Sequence, residues 1–178
     1  MGNPLFDTAP DFAQPIAVLK HCHERIRKQL ATLGRLQAHL PQHGADQEAQ
    51  QAAAGVMRYF SKSAAHHHED EEQDLFPMLI ATAKDEDAEV LQRLGPEIVS
   101  EHRQMDQLWH GLEVQLAEIA AGRSAALSST DAGLFSSLYS AHMEKEETWI
   151  APMAKRIFSD AQMAELGAAM QRRRGISA

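Results

Sequence analysis

Cysteine, long apolar runs and an excess of positive charge are scarce or missing in this 178-residue sequence. The single cysteine, Cys22, excludes an internal disulfide framework and favours a reducing compartment. No apolar run approaches the roughly 20 residues that span a membrane, and 1–15 lacks the basic and apolar segments of a signal peptide. The formal net charge of −8 argues against electrostatic nucleic-acid binding. We therefore expect a cytoplasmic protein with neither a nucleic-acid nor a membrane partner.

Glycine and proline are also few, whereas alanine, leucine, glutamine and glutamate are abundant, a composition that favours helices. Apolar residues recur at steps of three and four and predict four long helices and a short fifth one. A charged connection at 84–87 and the Gly95-Pro96 pair predict an interruption before the third helix. The predicted helices cover about 11–40, 46–83, 96–121, 131–157 and 159–173. We expect an all-α, up-down-up-down four-helix bundle over 11–157 with a short C-terminal fifth helix, in one domain over 1–178.

Two polar residues fall on the apolar stripe of the second predicted helix. The stripe comprises Met57, Phe60, Ala64, Leu75 and Leu79. At about 100° per residue, His68 and Glu72 lie on it, whereas His66 and His67 rotate away from it. Residues at i and i+4 have Cβ atoms about 5–6 Å apart, so both side chains can reach one point.

The fourth predicted helix repeats this arrangement with His142 and Glu146. Its stripe comprises Phe135, Leu138, Trp149, Met153 and Ile157. An offset of 74 superposes the two helices, and a proline follows soon after each glutamate, at Pro77 and Pro152. The sequence therefore contains an internal repeat that places one His/Glu pair in each copy.

The first and third predicted helices match each other with an offset of 79, and one histidine interrupts each apolar stripe. A lone core histidine or an i,i+4 His/Glu pair is also compatible with ordinary hydrogen bonding. Six polar groups on core stripes would cost several kcal/mol unless they were paired, and agreement among four helices favours metal ligation. Imidazole and carboxylate donors without thiolate suit iron, zinc or manganese. The predicted ligands are His23, His68, Glu72, His102, His142 and Glu146.

Four segments resemble the hemerythrin-like family, also called HHE cation-binding domains. They are CHERI (22–26), HHHEDEEQDLFP (66–77), EHRQM (101–105) and HMEKEETWIAP (142–152). The resemblance implies a four-helix bundle with two non-haem irons, bridged by two carboxylates and an oxo or hydroxo group, on the same six ligands. Zinc or manganese could substitute for iron.

One position departs from the oxygen-carrying members of that family, which use a fifth histidine one turn after the ligand on the third helix. Asp106 stands there in this sequence, which argues against reversible oxygen carriage. Asp106 and Glu69 stay open as additional ligands. Cys22, beside His23, is either a small buried residue or a redox-sensing thiol.

The resemblance and the open coordination positions imply a protein that binds or senses O2, NO or a related oxidant, with that small ligand as its partner. An enzymatic role is less expected. The alternatives are an oxidoreductase that consumes peroxide or NO, an iron storage or iron-centre repair protein, and a zinc-stabilised interaction bundle. Repair is disfavoured because 1–10 contains no cysteine.

Overall fold

Residues 11–176, the part of the chain that the computed structural model describes, form five helices. They are α1 (Pro15–His43), α2 (47–82), α3 (Asp85–Ala120), α4 (129–157) and α5 (Asp160–Arg173). Short connections make neighbouring helices of α1–α4 antiparallel, which confirms the predicted all-α bundle with a short fifth helix. Among the helices of residues 11–176, none has the length and apolar character needed to cross a membrane. The stretch 1–10, with its expected lack of a signal peptide or cysteine-bearing segment, lies outside the described residues.

Local signals in the sequence explain where most of these helices begin and end. Pro15 occupies the first turn of α1, and Gly44, with φ of 65°, donates its N–H to the carbonyl of Leu40 at 2.9 Å. The side chain of Asp46 caps α2 and that of Ser128 caps α4. A capping box between Ser159 and Gln162 begins α5. These caps satisfy backbone groups that would otherwise lack partners at the helix ends.

Helices α2 and α4 contain π-helical turns. In α2 these are Tyr59–Ala64 and Glu71–Leu75, and in α4 the π segment is Glu146–Ile150. A π turn closes an i→i+5 hydrogen bond and so uses roughly one residue more per turn than an α turn. Each π segment therefore delays the inward-facing positions that follow it along the chain.

The interruption predicted at Gly95-Pro96 is absent from α3, which runs without a break from Asp85 to Ala120. Pro96 lacks the N–H that would bond to the carbonyl four residues earlier, which costs one helical hydrogen bond. Leu91, Leu94 and Ile98 are buried on both sides of the proline. Packing of this continuous apolar stripe outweighs the local preference of Gly95 and Pro96 to end a helix.

Two apolar clusters fill the bundle, and a polar layer lies between them. The first contains Leu33, Val56, Phe60, Leu112 and Phe135, and the second contains Leu19, Leu79, Ile98, Ile150 and Leu166. In each of α1–α4, the chain passes from one cluster to the other through buried histidines or glutamates. The fold therefore places a layer of titratable side chains between two apolar layers.

Helix α5 packs across the second cluster and reaches the polar layer at its C-terminal end. Leu166 and Met170 are fully buried there. Arg173 and Arg174 form ion pairs with Asp70, whose side chain is completely buried on α2. The fifth helix is thus fixed to the bundle by both apolar packing and a buried charge.

Candidate metal centre

Seven buried side chains bring nitrogen and oxygen donors together in the polar layer. Within residues 11–176 they fall into overlapping groups whose donor atoms all lie within 4.8 Å of one another. His23 and His67 form the two-histidine position, and His68, His102 and His142 form the three-histidine position. The remaining members are Glu71 and Glu146, which join both positions. The donors therefore surround two neighbouring points in the core.

Each of the two carboxylates turns one oxygen toward each position. For Glu71, Oε1 lies 3.2 Å from Nε2 of His67 and Oε2 lies 3.4 Å from Nε2 of His102. For Glu146, Oε2 lies 3.1 Å from Nε2 of His23 and Oε1 lies 3.3 Å from Nε2 of His142. Ligands about 2.1 Å from one divalent ion lie roughly 3 Å apart when they are adjacent. The spacing suits two carboxylates that bridge a pair of cations.

Several of these atoms have no other partner. Among the described residues, the unpaired buried atoms are Nε2 of His23, both ring nitrogens of His67, Oε2 of Glu71 and both oxygens of Glu146. An unsatisfied buried polar group costs about 1–3 kcal/mol, and more if it is charged. Divalent cations would satisfy these lone pairs and the two negative charges together, so the donor set fits a pair of metal ions.

The contact between His102 and His142 also fits a metal site. Their Nε2 atoms lie 3.2 Å apart. The Nδ1 of His102 donates to Glu72 at 2.8 Å, and the Nδ1 of His142 donates to Glu101 at 2.9 Å. Because a carboxylate only accepts, the proton of each neutral ring is on Nδ1 and both Nε2 atoms carry lone pairs. Two lone pairs that face each other at this distance are stabilised by a shared cation.

A carboxylate also orients the histidine from α1. Nδ1 of His23 donates to Oε1 of Glu147 at 2.9 Å. Arg27 in turn donates to both oxygens of Glu147 at 2.9 Å each. This chain of contacts fixes the ring of His23 with Nε2 toward the centre, the arrangement by which carboxylates orient metal-binding histidines.

The two carboxylates that orient α3 and α4 histidines are held in the same way. Arg103 donates to Glu72 at 3.1 Å, and Lys145 donates to Glu101. A basic side chain near the surface therefore neutralises each orienting glutamate. Among the described residues, Glu71 and Glu146 contact histidines and form no ion pair with a lysine or arginine.

Burial and neighbouring charges set the protonation of the donors. Burial lowers the pKa of His67 and His68 well below the usual value, and nearby histidines lower it further. Burial and the charge of Glu146 raise the pKa of Glu71 well above its ordinary range. Burial opposes ionisation of Glu146 and His23, but their mutual attraction and other neighbours outweigh it, so the pKa of Glu146 falls and that of His23 rises. His67 and His68 are thus neutral, with lone pairs available to a cation.

The structure brings five of the six sequence-predicted residues into the donor groups and leaves one outside. The five are His23, His68, His102, His142 and Glu146. The sixth, Glu72, is one-quarter exposed and pairs with His102 and Arg103, while its neighbour Glu71 occupies the core position. The expectation that His67 faces away from the core is wrong, because its side chain is 1% exposed.

The π segments explain the change from Glu72 to Glu71. Glu71–Leu75 adds roughly one residue between the glutamate and Leu79 of the apolar stripe, so counting back from Leu79 at a constant 100° per residue places the glutamate one position too late. The spacing of the prolines gives the correct offset between the repeated segments of α2 and α4, because Pro77 and Pro152 are 75 positions apart. An offset of 75 pairs His67 with His142 and Glu71 with Glu146, whereas the predicted offset of 74 did not align the prolines. The proline spacing was therefore the signal that identified Glu71.

Three other sequence-based candidates lie outside the donor groups. Asp106 is exposed, and Glu69 is half exposed beside His66 and Arg173. Trp149, expected on the core stripe, is 47% exposed because the π segment places Ile150 inward instead. Since His68 joins His102 and His142, five histidines meet at the centre, and the fifth comes from α2 rather than from α3.

This geometry defines a class of protein: a four-helix bundle with a candidate two-cation centre of five histidines and two bridging carboxylates. A protein-family model for hemerythrin, the hemerythrin HHE cation binding domain, matches residues 14–154. The chain belongs to the hemerythrin family. It is also 27% identical over 163 residues to an uncharacterized protein of Haemophilus influenzae, and the match covers 92% of this chain and 91% of that protein.

Proposed function

We propose that this protein is a non-haem di-iron protein of hemerythrin type that binds or senses O2, NO or a related oxidant. The observation that carries the proposal is the pair of carboxylates, Glu71 and Glu146, each of which faces both histidine groups. Such shared carboxylates are needed for two ions and are superfluous for one. Nitrogen and oxygen donors without thiolate suit iron, and zinc or manganese could occupy the same set.

The two positions differ in their donors. His23 and His67 form a group of four donors with the two carboxylates. At the other position, His102 and His142 group both with the two carboxylates and with His68, so up to five donors face it. When bound, the irons supply exchangeable positions for a small ligand and reversible one-electron chemistry. Because the two-histidine position has fewer donors, more of its coordination sites would be open to a small ligand.

The surroundings and the charge of the donor set limit the chemistry expected at this site. Phe60, Phe135 and Tyr139 pack in the first apolar cluster and give the three-histidine position apolar neighbours. The Tyr139 hydroxyl lies 3.5 Å from Nε2 of His68. Five neutral imidazoles and only two carboxylates leave little negative charge on the ions, which disfavours highly oxidised states. We therefore propose ligand binding and redox cycling rather than hydroxylation of an organic substrate.

Burial of the donors also favours retention of the metal over storage and release. All seven donors are at most 8% exposed, and three of the histidines are fixed by carboxylates. Release of an ion would require several buried donors, three of them fixed by hydrogen bonds to carboxylates, to give it up together. We propose a resident cofactor, in a reducing compartment such as the cytoplasm, as the single half-buried cysteine suggests.

Metal analysis combined with optical spectroscopy tests the proposal. The protein is loaded anaerobically with ferrous iron, and spectra are recorded before and after exposure to O2 or NO. We expect two irons per chain and new visible absorption bands that are absent from a His142→Ala variant. Failure to take up ferrous iron, or one iron per chain, would contradict the proposal. Sustained consumption of peroxide or NO with a reductant would replace it with the oxidoreductase alternative.

A further inference from the structure

A cavity of about 390 Å³ connects the surface with one side of the metal centre. It lies between α1, the C-terminal part of α2 and the C-terminal part of α4. Of the donors in the described part of the chain, His23, Glu71 and Glu146 line this cavity, whereas the three histidines of the other position do not. The cavity therefore leads to the two-histidine position, which has fewer donors.

The walls of this entry cavity are mostly apolar. They are formed by Ile16, Leu19, Leu75, Ile150, Ala151 and Pro152. Such walls offer no hydrogen bonds from their side chains, so a ligand that passes them must be small and must tolerate the loss of hydration. Large or multiply charged ligands are disfavoured on this ground.

Charge at the outer part of the cavity is positive. Lys20 of α1 and Lys155 of α4 both line it, both are exposed, and neither forms an ion pair with the described residues. The one carboxylate of the outer lining, Glu147, is neutralised by Arg27 through two hydrogen bonds. The opening is thus locally positive in a chain whose formal charge is −8.

We propose that this cavity is the ligand entry and that Lys20 and Lys155 make it selective for small monovalent anions, such as nitrite or azide. The inference rests on the proposed function because the ligand is taken to bind at the two-histidine position. Positive charge at a low-dielectric opening raises the local concentration of anions and their rate of entry. It leaves the entry of neutral ligands such as O2 and NO almost unchanged. The two lysines are thus specificity-determining residues and do not contact the donors themselves.

Azide-binding kinetics of the iron-loaded protein test the inference. The K20Q/K155Q double variant removes both charges while it leaves the seven donors and the apolar walls intact. The K28Q/K62Q double variant is a matched control, because it makes the same change in net charge at two exposed lysines that do not line the cavity. We expect azide association to slow about tenfold in K20Q/K155Q at low salt, within the range of electrostatic steering, and the difference to vanish at high salt.

Neutral ligands supply the second readout. NO association should be the same in the parent and in both double variants. Equal azide rates in K20Q/K155Q and K28Q/K62Q, or an equal loss for NO and azide, would overturn the inference.

Cobalt(II) substitution separates the inference from the proposed function. Suppose that the cobalt protein binds azide with the expected dependence on Lys20 and Lys155, while the iron protein binds neither O2 nor NO. This result would support the anion entry and contradict the proposed function. If neither metal is taken up, both are overturned.

Discussion

Oε1 of Glu72 lies 2.8 Å from Nδ1 of His102, so Glu72 contacts the side of the imidazole that faces away from the centre. Its neighbour Glu71 contacts Nε2 of the same ring from inside the core. The pair Glu146-Glu147 repeats this arrangement at 75 positions further on, because Glu147 contacts Nδ1 of His23. In each copy, the first glutamate lies between the two positions and the second orients a histidine from another helix.

Replacement of His67 should remove one metal position, whereas replacement of its neighbour His66 should not. His67 is buried among the donors, and His66 is partly exposed beside Glu69. We expect His67→Ala to lose about half of the bound metal and His66→Ala to keep two ions per chain. Inductively coupled plasma analysis of the two purified variants measures this. Equal metal content in both would rule out His67 as a donor.

Metal loading should release protons near neutral pH. Burial and the charge of Glu146 raise the pKa of Glu71, and the carboxylate partners of His23 raise the pKa of its ring, so both groups keep their protons to higher pH in the metal-free protein than free side chains do. Cations compete with these protons, so metal affinity should rise with pH until both groups are deprotonated. Calorimetric titration in buffers of different ionisation enthalpy counts the released protons. A buffer-independent heat would contradict the expected protonation.

Asp70 should contribute strongly to stability through α5. Its buried carboxylate pairs with Arg173 and Arg174, so Asp70→Asn leaves both arginines without that counter-charge. Loss of one partner of a buried pair costs roughly 3 kcal/mol of unfolding free energy. Asp87→Asn is the control, because it breaks an ion pair with the largely exposed Arg156 and should change stability far less. Urea denaturation of the two variants compares them, and equal midpoints would contradict the buried role.

Gly167 should tolerate no side chain. A Cβ built there would lie 2.0 Å from the carbonyl oxygen of Phe12, so Gly167→Ala must displace backbone and should cost about 1–3 kcal/mol. Gly111 lies exposed inside α3 with nothing within 4 Å of its Cβ direction. Gly111→Ala should therefore raise stability by about 0.5–1 kcal/mol through the lower helix propensity of glycine. Thermal unfolding of the two variants measures the sign of each change in stability. A stabilised Gly167→Ala variant would show that α5 does not pack against Phe12.

Particular residues show why the sequence predicted most, but not all, of this centre. His142 and Glu146 face the core as expected because the π segment of α4 begins only at Glu146. In α2 the π segment Glu71–Leu75 lies between the glutamate and Leu79, so α periodicity counted back from Leu79 places the glutamate one residue too late. Local helix propensities do not predict a π turn, since tertiary contacts of its side chains stabilise it. The continuous α3 has a similar origin, because buried leucines override Gly95-Pro96.

A comparison of the iron content of Glu71→Gln with that of Glu72→Gln shows which glutamate is a metal donor. It therefore tests the proposed two-cation centre most directly. Glu71→Gln removes a shared carboxylate, so it should retain fewer than two irons per chain. Glu72→Gln removes the negative charge beside His102 Nδ1 and the ion pair with Arg103, but no donor, so it should retain two irons at roughly 10–100-fold lower affinity. Two tightly held irons in Glu71→Gln, together with a lost iron in Glu72→Gln, would contradict the centre described above.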